Sequence, residues 1–154
     1  MVQEFELQEI DSIVKEYKRL KNFSLVLTAK DKPMFFYDYV PNNTNEDFDE
    51  RAWYFEQFSK NIKRLYDNKK CRQLCVVRAY PETTLAQCIS MMHLWVDCEG
   101  KLNLFVYMRS WNYLKNFDYD CQTFLLLLET FSKMLQFIEG KVEVTCNDLH
   151  LQPF

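Results

Sequence analysis

Four side chains of different chemistry follow one another along this chain: Cys88, Arg109, Asp120 and His150. A thiolate at Cys88 can attack an electron-poor ring carbon. The guanidinium of Arg109, with the hydroxyl of Ser110 beside it, suits a phosphate group. A carboxyl at Asp120 can hydrogen-bond the edge of a base. In this order, the four groups are what an enzyme that attacks a pyrimidine nucleotide needs.

Each of these residues also has a purely structural interpretation. An ordinary buried thiol is the alternative for Cys88, because free cysteine is among the most buried residue types. For Arg109 the alternative is a solvent-exposed side chain at a strand end, and for Asp120 it is a helix N-cap, a position that Asp favours. His150 has the alternative of a surface or interface histidine. No single residue decides the function.

The elements that must position these residues alternate between helices and strands. Apolar residues recur at helical spacing over the first twenty residues and again from Phe55 to Leu65, ending near residues 67–68. Strands are predicted at 23–27, 34–39, 73–79, 89–96, 102–108 and 142–146, with 89–96 and 102–108 joined as a hairpin.

The strongest helical signal is the apolar run 121–138, for which Gly140 is the expected stop. It is apolar nearly all round, which favours a buried core helix. Helices and strands mixed in this way indicate an α+β fold, an α/β sandwich. We expect one large mixed sheet packed against helices that include the buried helix near 121–138. At 154 residues, the chain 1–154 is predicted to be a single domain.

Three motifs around the candidate residues resemble those of the thymidylate synthase and deoxycytidylate hydroxymethylase family. Leu85-Ala86-Gln87-Cys88-Ile89 resembles the family's Leu-Ala-Pro-Cys-His, with the nucleophilic cysteine kept. Tyr107-Met108-Arg109-Ser110-Trp111-Asn112 is similar to Tyr-Gln-Arg-Ser-x-Asp. Asp148-Leu149-His150-Leu151-Gln152 is similar to Asp-x-His-x-Tyr. The resemblance covers roughly residues 52–152 and implies a thymidylate-synthase-like fold.

The resemblance implies a role for each matched residue. Cys88 would be the nucleophile that adds to C6 of the pyrimidine. Arg109 and Ser110 would contact the phosphate of the nucleotide. His150 would bind the deoxyribose hydroxyl, with Gln152 standing where the family usually has Tyr.

Asp120 bears on the choice of base. Eleven residues past Arg109, thymidylate synthases carry an Asn that reads uracil, whereas deoxycytidylate hydroxymethylases carry Asp, as this chain does. A carboxyl can accept a hydrogen bond from the 4-amino group of cytosine, so dCMP is favoured over dUMP. The resemblance also implies 5,10-methylenetetrahydrofolate as the cofactor. Arg72 resembles an arginine that reaches the partner subunit's phosphate, which implies a homodimer with its sheets packed back to back.

The resemblance leaves one catalytic group unplaced. The family carries a catalytic Glu in a Leu-Trp-Phe-like helix, for which Glu50, Glu56 and Glu82 are the candidates here. Asn112 replaces an Asp that helps to hold the folate. Two hypotheses follow. The first is a dCMP hydroxymethylase-like transferase of one-carbon units to C5. The alternative is a shortened, non-catalytic relative that binds a pyrimidine nucleotide or a protein partner.

Composition excludes several other classes of protein. A net charge of -3 gives no reason to expect a nucleic-acid polymer or an anionic membrane as a partner. No apolar run approaches the roughly 20 residues that a membrane span needs, and two glycines leave no glycine-rich phosphate loop. Without a secretion signal, the six cysteines are expected to be reduced thiols, and their spacing does not suit zinc. We therefore expect a cytoplasmic protein. Its richness in Asn, Lys, Phe and Tyr indicates an AT-rich genome, such as that of a virus acting in host cytoplasm.

Overall fold

The computed structural model describes residues 2–36, 50–78 and 88–151. These residues form a seven-stranded mixed sheet packed against helices, which confirms the predicted α+β class. In chain order the elements are β1 (Gln3–Glu6), α1 (Leu7–Tyr17), β2 (Arg19–Leu27), a 3-10 helix (Ala29–Met34), α2 (Glu50–Ser59), α3 (Ile62–Asp67), β3 (Cys75–Val77), β4 (Ile89–Val96), β5 (Lys101–Met108), β6 (Trp111–Asn112), α4 (Phe117–Leu135) and β7 (Ile138–His150).

The last strand, β7, organises the sheet, whose order is β1-β2-β7-β5-β4-β3. It runs antiparallel to β2 and parallel to β5, and its final residues pair in parallel with the short strand β6. The chain therefore leaves β5 at Met108 and rejoins β7 at Trp111, with Arg109 and Ser110 between the two pairings. This break in the ladder brings residues from several elements together near the end of β7.

Alternation along the paired strands separates two faces of the sheet. Residues that pair across the strands share a face, and one such set is fully or almost fully buried: Phe23, Leu25, Leu27, Val76, Met92, Leu94, Leu104, Val106, Met108, Val142, Val144 and Cys146. Helix α4 packs on the sheet through β7 and β5. The opposite face includes Tyr107 and Val77, which are 39% and 68% exposed.

The predicted long buried helix is confirmed as α4, but its predicted ends are wrong. The helix begins at Phe117 and ends at Leu135, where Gln136 adopts a left-handed conformation with φ 60°. Gly140 therefore does not stop the helix, because it already lies in β7. The left-handed conformation of Gln136 lets the chain reverse directly into β7. The apolar sequence around it did not predict a helix end at this residue. Among the described residues, no helix combines the length and apolar character needed to cross a membrane.

Gly140 allows a close approach between β7 and an irregular point of β5. The β5–β7 register shifts between Leu102 and Leu104, and the buried side chain of Asn103 turns toward β7. Its Oδ1 accepts a hydrogen bond from the Lys141 N–H at 3.0 Å. A Cβ added at Gly140 would lie 2.6 Å from the Leu102 carbonyl oxygen, closer than packed atoms allow.

We expect Gly140→Ala to lower the free energy of unfolding by about 2 kcal/mol, because the strands must separate to admit the methyl group. Urea denaturation measures the change. Gly100→Ala is the matched control: its added Cβ meets open space, so it carries only the cost of a positive φ of 79°, about 1 kcal/mol. A Gly140→Ala protein as stable as the wild type would contradict the close approach.

The N-terminal third departs most from the predictions. The helix predicted over the first twenty residues is three elements: β1, α1 and the start of β2. A strand was predicted at 34–39, but residues 34–36 are not a strand: the 3-10 helix Ala29–Met34 ends there. Residues 37–39 lie outside the described residues. Reciprocal capping between Thr28 and Asp31 stabilises that helix locally. The hairpin of β4 and β5 is confirmed.

Candidate active site

A cavity of ≈ 240 Å³ opens where β5 gives way to β6 beside the end of β7. It brings together four of the residues predicted from the sequence, although they lie far apart along the chain. The described residues that line it are Glu50, Arg78, Cys88, Ile89, Ser110, Trp111, Asn112, Asn116, Asp120 and His150.

Cys88 directly precedes β4 and faces this cavity. Its carbonyl oxygen accepts a hydrogen bond from the Arg109 N–H at 2.8 Å, which ties the thiol to the end of β5. The residue is exposed, so the alternative of an ordinary buried thiol is wrong. Desolvation around the sulfur raises the pKa of Cys88, opposed first by the Arg109 charge and reinforced by the carboxyl of Asp120. The raised pKa favours the protonated thiol over the thiolate.

Asp120 lies in the first turn of α4, and it lines the cavity. The alternative of a helix N-cap is wrong, since Asn116 holds that position. The residue is buried, and its Oδ2 accepts a hydrogen bond from the indole N–H of Trp111 at 2.9 Å. Burial raises the pKa of Asp120 well above its usual value, and the nearby Glu50 carboxylate raises it further. A neutral carboxyl can both donate and accept hydrogen bonds.

The raised pKa of Asp120 predicts a pH dependence of stability. Because the folded protein holds this proton more tightly than the unfolded chain, Asp120 contributes fully below the unfolded pKa and loses that contribution as pH rises toward the folded pKa. Asp120→Asn removes this loss. We expect the free energy of unfolding of the variant, relative to the wild type, to rise between pH 4 and pH 8, as measured by urea denaturation at each pH. A constant difference would contradict it.

The family model for thymidylate synthase matches residues 29–152, most of the chain. The chain belongs to the thymidylate synthase family. Comparison with curated proteins gave no match. Among solved structures, thymidylate synthase from T4 phage matches with a TM-score of 0.55 and 21% identity, over 62% of this chain and 34% of the phage chain. This thymidylate synthase family chain thus shares the fold and spans about a third of that relative's length.

Of the three glutamates that the sequence offered, Glu50 is the one that lines the cavity among the described residues. It begins α2 and lines the cavity with a side chain that is 15% exposed. Glu56 instead lies on the surface and pairs with Lys60 at 3.5 Å, and Glu82 lies outside the described residues. The signal that could have selected Glu50 is the Trp53-Tyr54 pair that follows it, which resembles the family's Leu-Trp-Phe-like helix.

Arg51, the next residue, fixes the start of α2 against α4. Its Nε donates to Thr123 Oγ1 at 2.8 Å, and its Nη2 donates to Gln122 Oε1 at 2.9 Å. The guanidinium carbon also lies 4.4 Å from the centre of the Tyr119 ring. Since α4 carries Asp120, this contact holds the two carboxyl-bearing helices together, and Glu50 faces the cavity as a result.

The remaining predicted residues are divided between the cavity and its surroundings. Ser110 and His150 line the cavity, and His150 is only 9% exposed, so the surface alternative is wrong for it. Arg109 is exposed and lies at the end of β5, outside the cavity lining. Arg72 is exposed in a separate groove with Arg64 and Lys70. Gln152 lies outside the described residues.

The end of β7 is held in place by contacts that fix His150. Two residues before it, Asp148 accepts two hydrogen bonds from the Arg19 guanidinium, at 2.8 and 2.7 Å. On the other side, the His150 carbonyl accepts a hydrogen bond from the Tyr113 N–H at 2.8 Å. A bidentate Arg–carboxylate pair is geometrically specific, so the strand that delivers the imidazole has a defined position.

Proposed function

We propose that this chain binds a pyrimidine deoxynucleoside monophosphate in the cavity and transfers a one-carbon unit to C5 of the base. The observation that carries the proposal is that a thiol (Cys88), a buried carboxyl (Asp120) and a second acidic residue (Glu50) line the same small cavity. Family membership supports this chemistry, and the substrate we favour is dCMP over dUMP.

In this proposal Cys88 acts as the nucleophile. Its thiolate forms a bond to C6, and the electron pair of the C5–C6 double bond makes C5 nucleophilic toward the one-carbon donor. C5 then takes up the one-carbon unit and loses its own hydrogen as a proton, while the bond from that carbon to the donor nitrogen breaks and the nitrogen takes a proton. Water adds to the transferred carbon to give the hydroxymethyl group, and departure of the thiolate restores the C5–C6 double bond. Glu50 is the group we assign to proton transfer beside the ring, because it is the candidate glutamate that reaches the cavity.

The other residues hold the nucleotide. Asp120 bonds the base edge through the oxygen that Trp111 leaves available, Oδ1. Ser110, inside the cavity, and Arg109, at its edge, bind the phosphate, and His150 bonds the deoxyribose hydroxyl. The exposed position of Arg109 suits a phosphate that stays partly hydrated.

The donor set beside the thiol suits 5,10-methylenetetrahydrofolate. Glu50 and Asn112 both line the cavity and can bond a polar ring. Asn112 Oδ1 already accepts hydrogen bonds from the Leu114 and Lys115 N–H groups, each at 3.1 Å. Asn112 would therefore donate to the cofactor through its amide NH₂ group. This cofactor would supply the one-carbon unit that C5 accepts.

We also propose a homodimer formed by the open face of the sheet. Residues of that face pair in rows across the strands, with Phe105 and His93 in one row and Tyr107, Met91 and Val77 in the next. These apolar and aromatic side chains are partly or largely exposed, which is typical of a surface that a partner covers. Sedimentation that shows a strict monomer at micromolar concentration would contradict the dimer. Cytoplasmic location and viral origin stay predictions from composition.

The direct test is release of tritium from 5-tritiated dCMP and 5-tritiated dUMP by the wild-type protein. We expect release that depends on 5,10-methylenetetrahydrofolate and is about tenfold or more faster with dCMP. No release at any practical enzyme concentration would sink the catalytic proposal. Calorimetric titration with both nucleotides then tests the alternative of a non-catalytic relative. Absence of binding would rule out a nucleotide-binding relative and leave a protein partner or a purely structural role.

A further inference from the structure

Arg78 stands out as a buried cation in the candidate active site. It directly follows β3, and its side chain is only 7% exposed. Among the described residues that line the cavity, it is the one arginine or lysine. Its backbone N–H donates to the Ser90 carbonyl at 3.0 Å, which anchors it to β4. A guanidinium removed from water in this way is costly unless its partners compensate.

The partners of Arg78 lie on α2, at the end that carries Glu50. Its Nη1 lies 3.1 Å from Glu50 Oε1 and donates to the Tyr54 hydroxyl at 3.3 Å. The guanidinium carbon also lies 5.9 Å from the centre of the Trp53 ring and 5.7 Å from that of Tyr54, within range of cation–π attraction. One side chain on the sheet therefore contacts the first two turns of α2.

The other arginines near the cavity do not line it. Arg51 bonds α4, and Arg109 is exposed beside β5. Glu50 and Asp120 face the same cavity, so their negative charges would repel each other if both were ionised without a cation. Among the described residues that line the cavity, Arg78 is the cation that lies beside the Glu50 carboxylate and can neutralise its charge.

We propose that Arg78 is a positioning residue that holds the Glu50 carboxylate at the cavity, beside Cys88 and Asp120, and keeps it from turning away to solvent. The inference deepens the proposed function and rests on it for the catalytic arm of the test only. It predicts that the Glu50 charge slows the reaction of the Cys88 thiol while Arg78 is present. When Arg78 is removed, Glu50 should no longer affect that reaction.

Alkylation of Cys88 measures this influence without any need for catalysis. The proteins are wild type, Glu50→Gln, Arg78→Met and the double variant, treated with iodoacetamide at one pH. Peptide mass spectrometry reads Cys88, with the exposed Cys98 as an internal reference. Because the Glu50 charge opposes thiolate formation, we expect Glu50→Gln to speed Cys88 alkylation about threefold in the wild-type background. In the Arg78→Met background we expect little change, which is the coupling that a double-mutant cycle detects.

Two outcomes would overturn the inference. Equal effects of Glu50→Gln in both backgrounds would show that the residues act independently. A larger effect without Arg78 would show that Arg78 only screens a carboxylate that stays in place by itself. Arg78→Lys, which keeps a cation, serves if Arg78→Met fails to fold, and there the Glu50→Gln effect should persist. Arg64→Met, at a distant groove, should leave Cys88 alkylation unchanged.

The catalytic arm uses tritium release from dCMP. We expect Arg78→Met to lower the rate about 100-fold with dCMP affinity changed little, and Arg78→Lys to recover part of the loss, since a displaced proton-transfer group lowers turnover more than binding. An Arg78→Met protein with wild-type turnover would overturn the inference. If the wild type itself releases no tritium, the proposed function fails, while the alkylation cycle still decides the role of Arg78.

Discussion

Replacing Cys88 by alanine is expected to abolish folate-dependent release of tritium from dCMP, by at least about 10⁴-fold, as removal of a nucleophile does in other enzymes. The reason is that the addition to C6 has no substitute. Ser110 also lines the cavity, but a hydroxyl is a far weaker nucleophile than a thiolate. Calorimetric affinity for dCMP should stay within a few-fold, because Arg109, Ser110, Asp120 and His150 are untouched.

The matched controls separate the nucleophile from general thiol effects. Cys98→Ala changes another exposed thiol, at the turn between β4 and β5, and should keep full activity. Cys88→Ser preserves size and polarity and should be as inactive as Cys88→Ala. If Cys88→Ala kept a tenth of the wild-type rate, the covalent mechanism would be untenable, even with the family assignment intact.

Local sequence patterns sufficed for the parts of the fold that form from neighbouring residues. Strands β4 and β5 were predicted at nearly their observed ends, because a turn at residues 97–101 joins two strands that pair with each other. The last strand was predicted at 142–146 but extends from Ile138 to His150, because it pairs with strands far away in sequence. Its first residue, Ile138, belonged to the apolar run 121–138, and no local feature separated that residue from α4.

The candidate site shows the same division. Cys88, Ser110 and His150 were found because each lies in a short motif, and Asp120 because of its spacing from Arg109. The structure places all four around one cavity. Glu50 and Arg78 were not assigned, because their importance arises from a contact between α2 and the end of β3. That contact depends on the packing of α2 against α4 through Arg51. Residue spacing along the chain does not predict this packing.

Asp120→Asn is expected to reverse the choice of base, from dCMP to dUMP. The Trp111 indole, which can only donate, fixes the orientation of the new amide, so its oxygen must take the place of Oδ2. The NH₂ group then replaces Oδ1 at the base edge. A donor there suits the O4 acceptor of uracil and opposes the 4-amino group of cytosine, whereas the carboxyl of the wild type accepts from that amino group.

The expected change is large because a buried polar group left facing the wrong partner is costly. Sites that bond a substrate group reject an analogue lacking it by roughly 10⁴-fold, so the ratio of kcat/KM for dCMP to that for dUMP should fall by about 10³-fold or more. Competition between the two nucleotides, with tritium on one of them at a time, measures this ratio. Trp111→Phe in the Asp120→Asn protein is the decisive control, since without the indole donor the amide can rotate and should accept either base. An Asp120→Asn protein that still prefers dCMP would show that another residue reads the base.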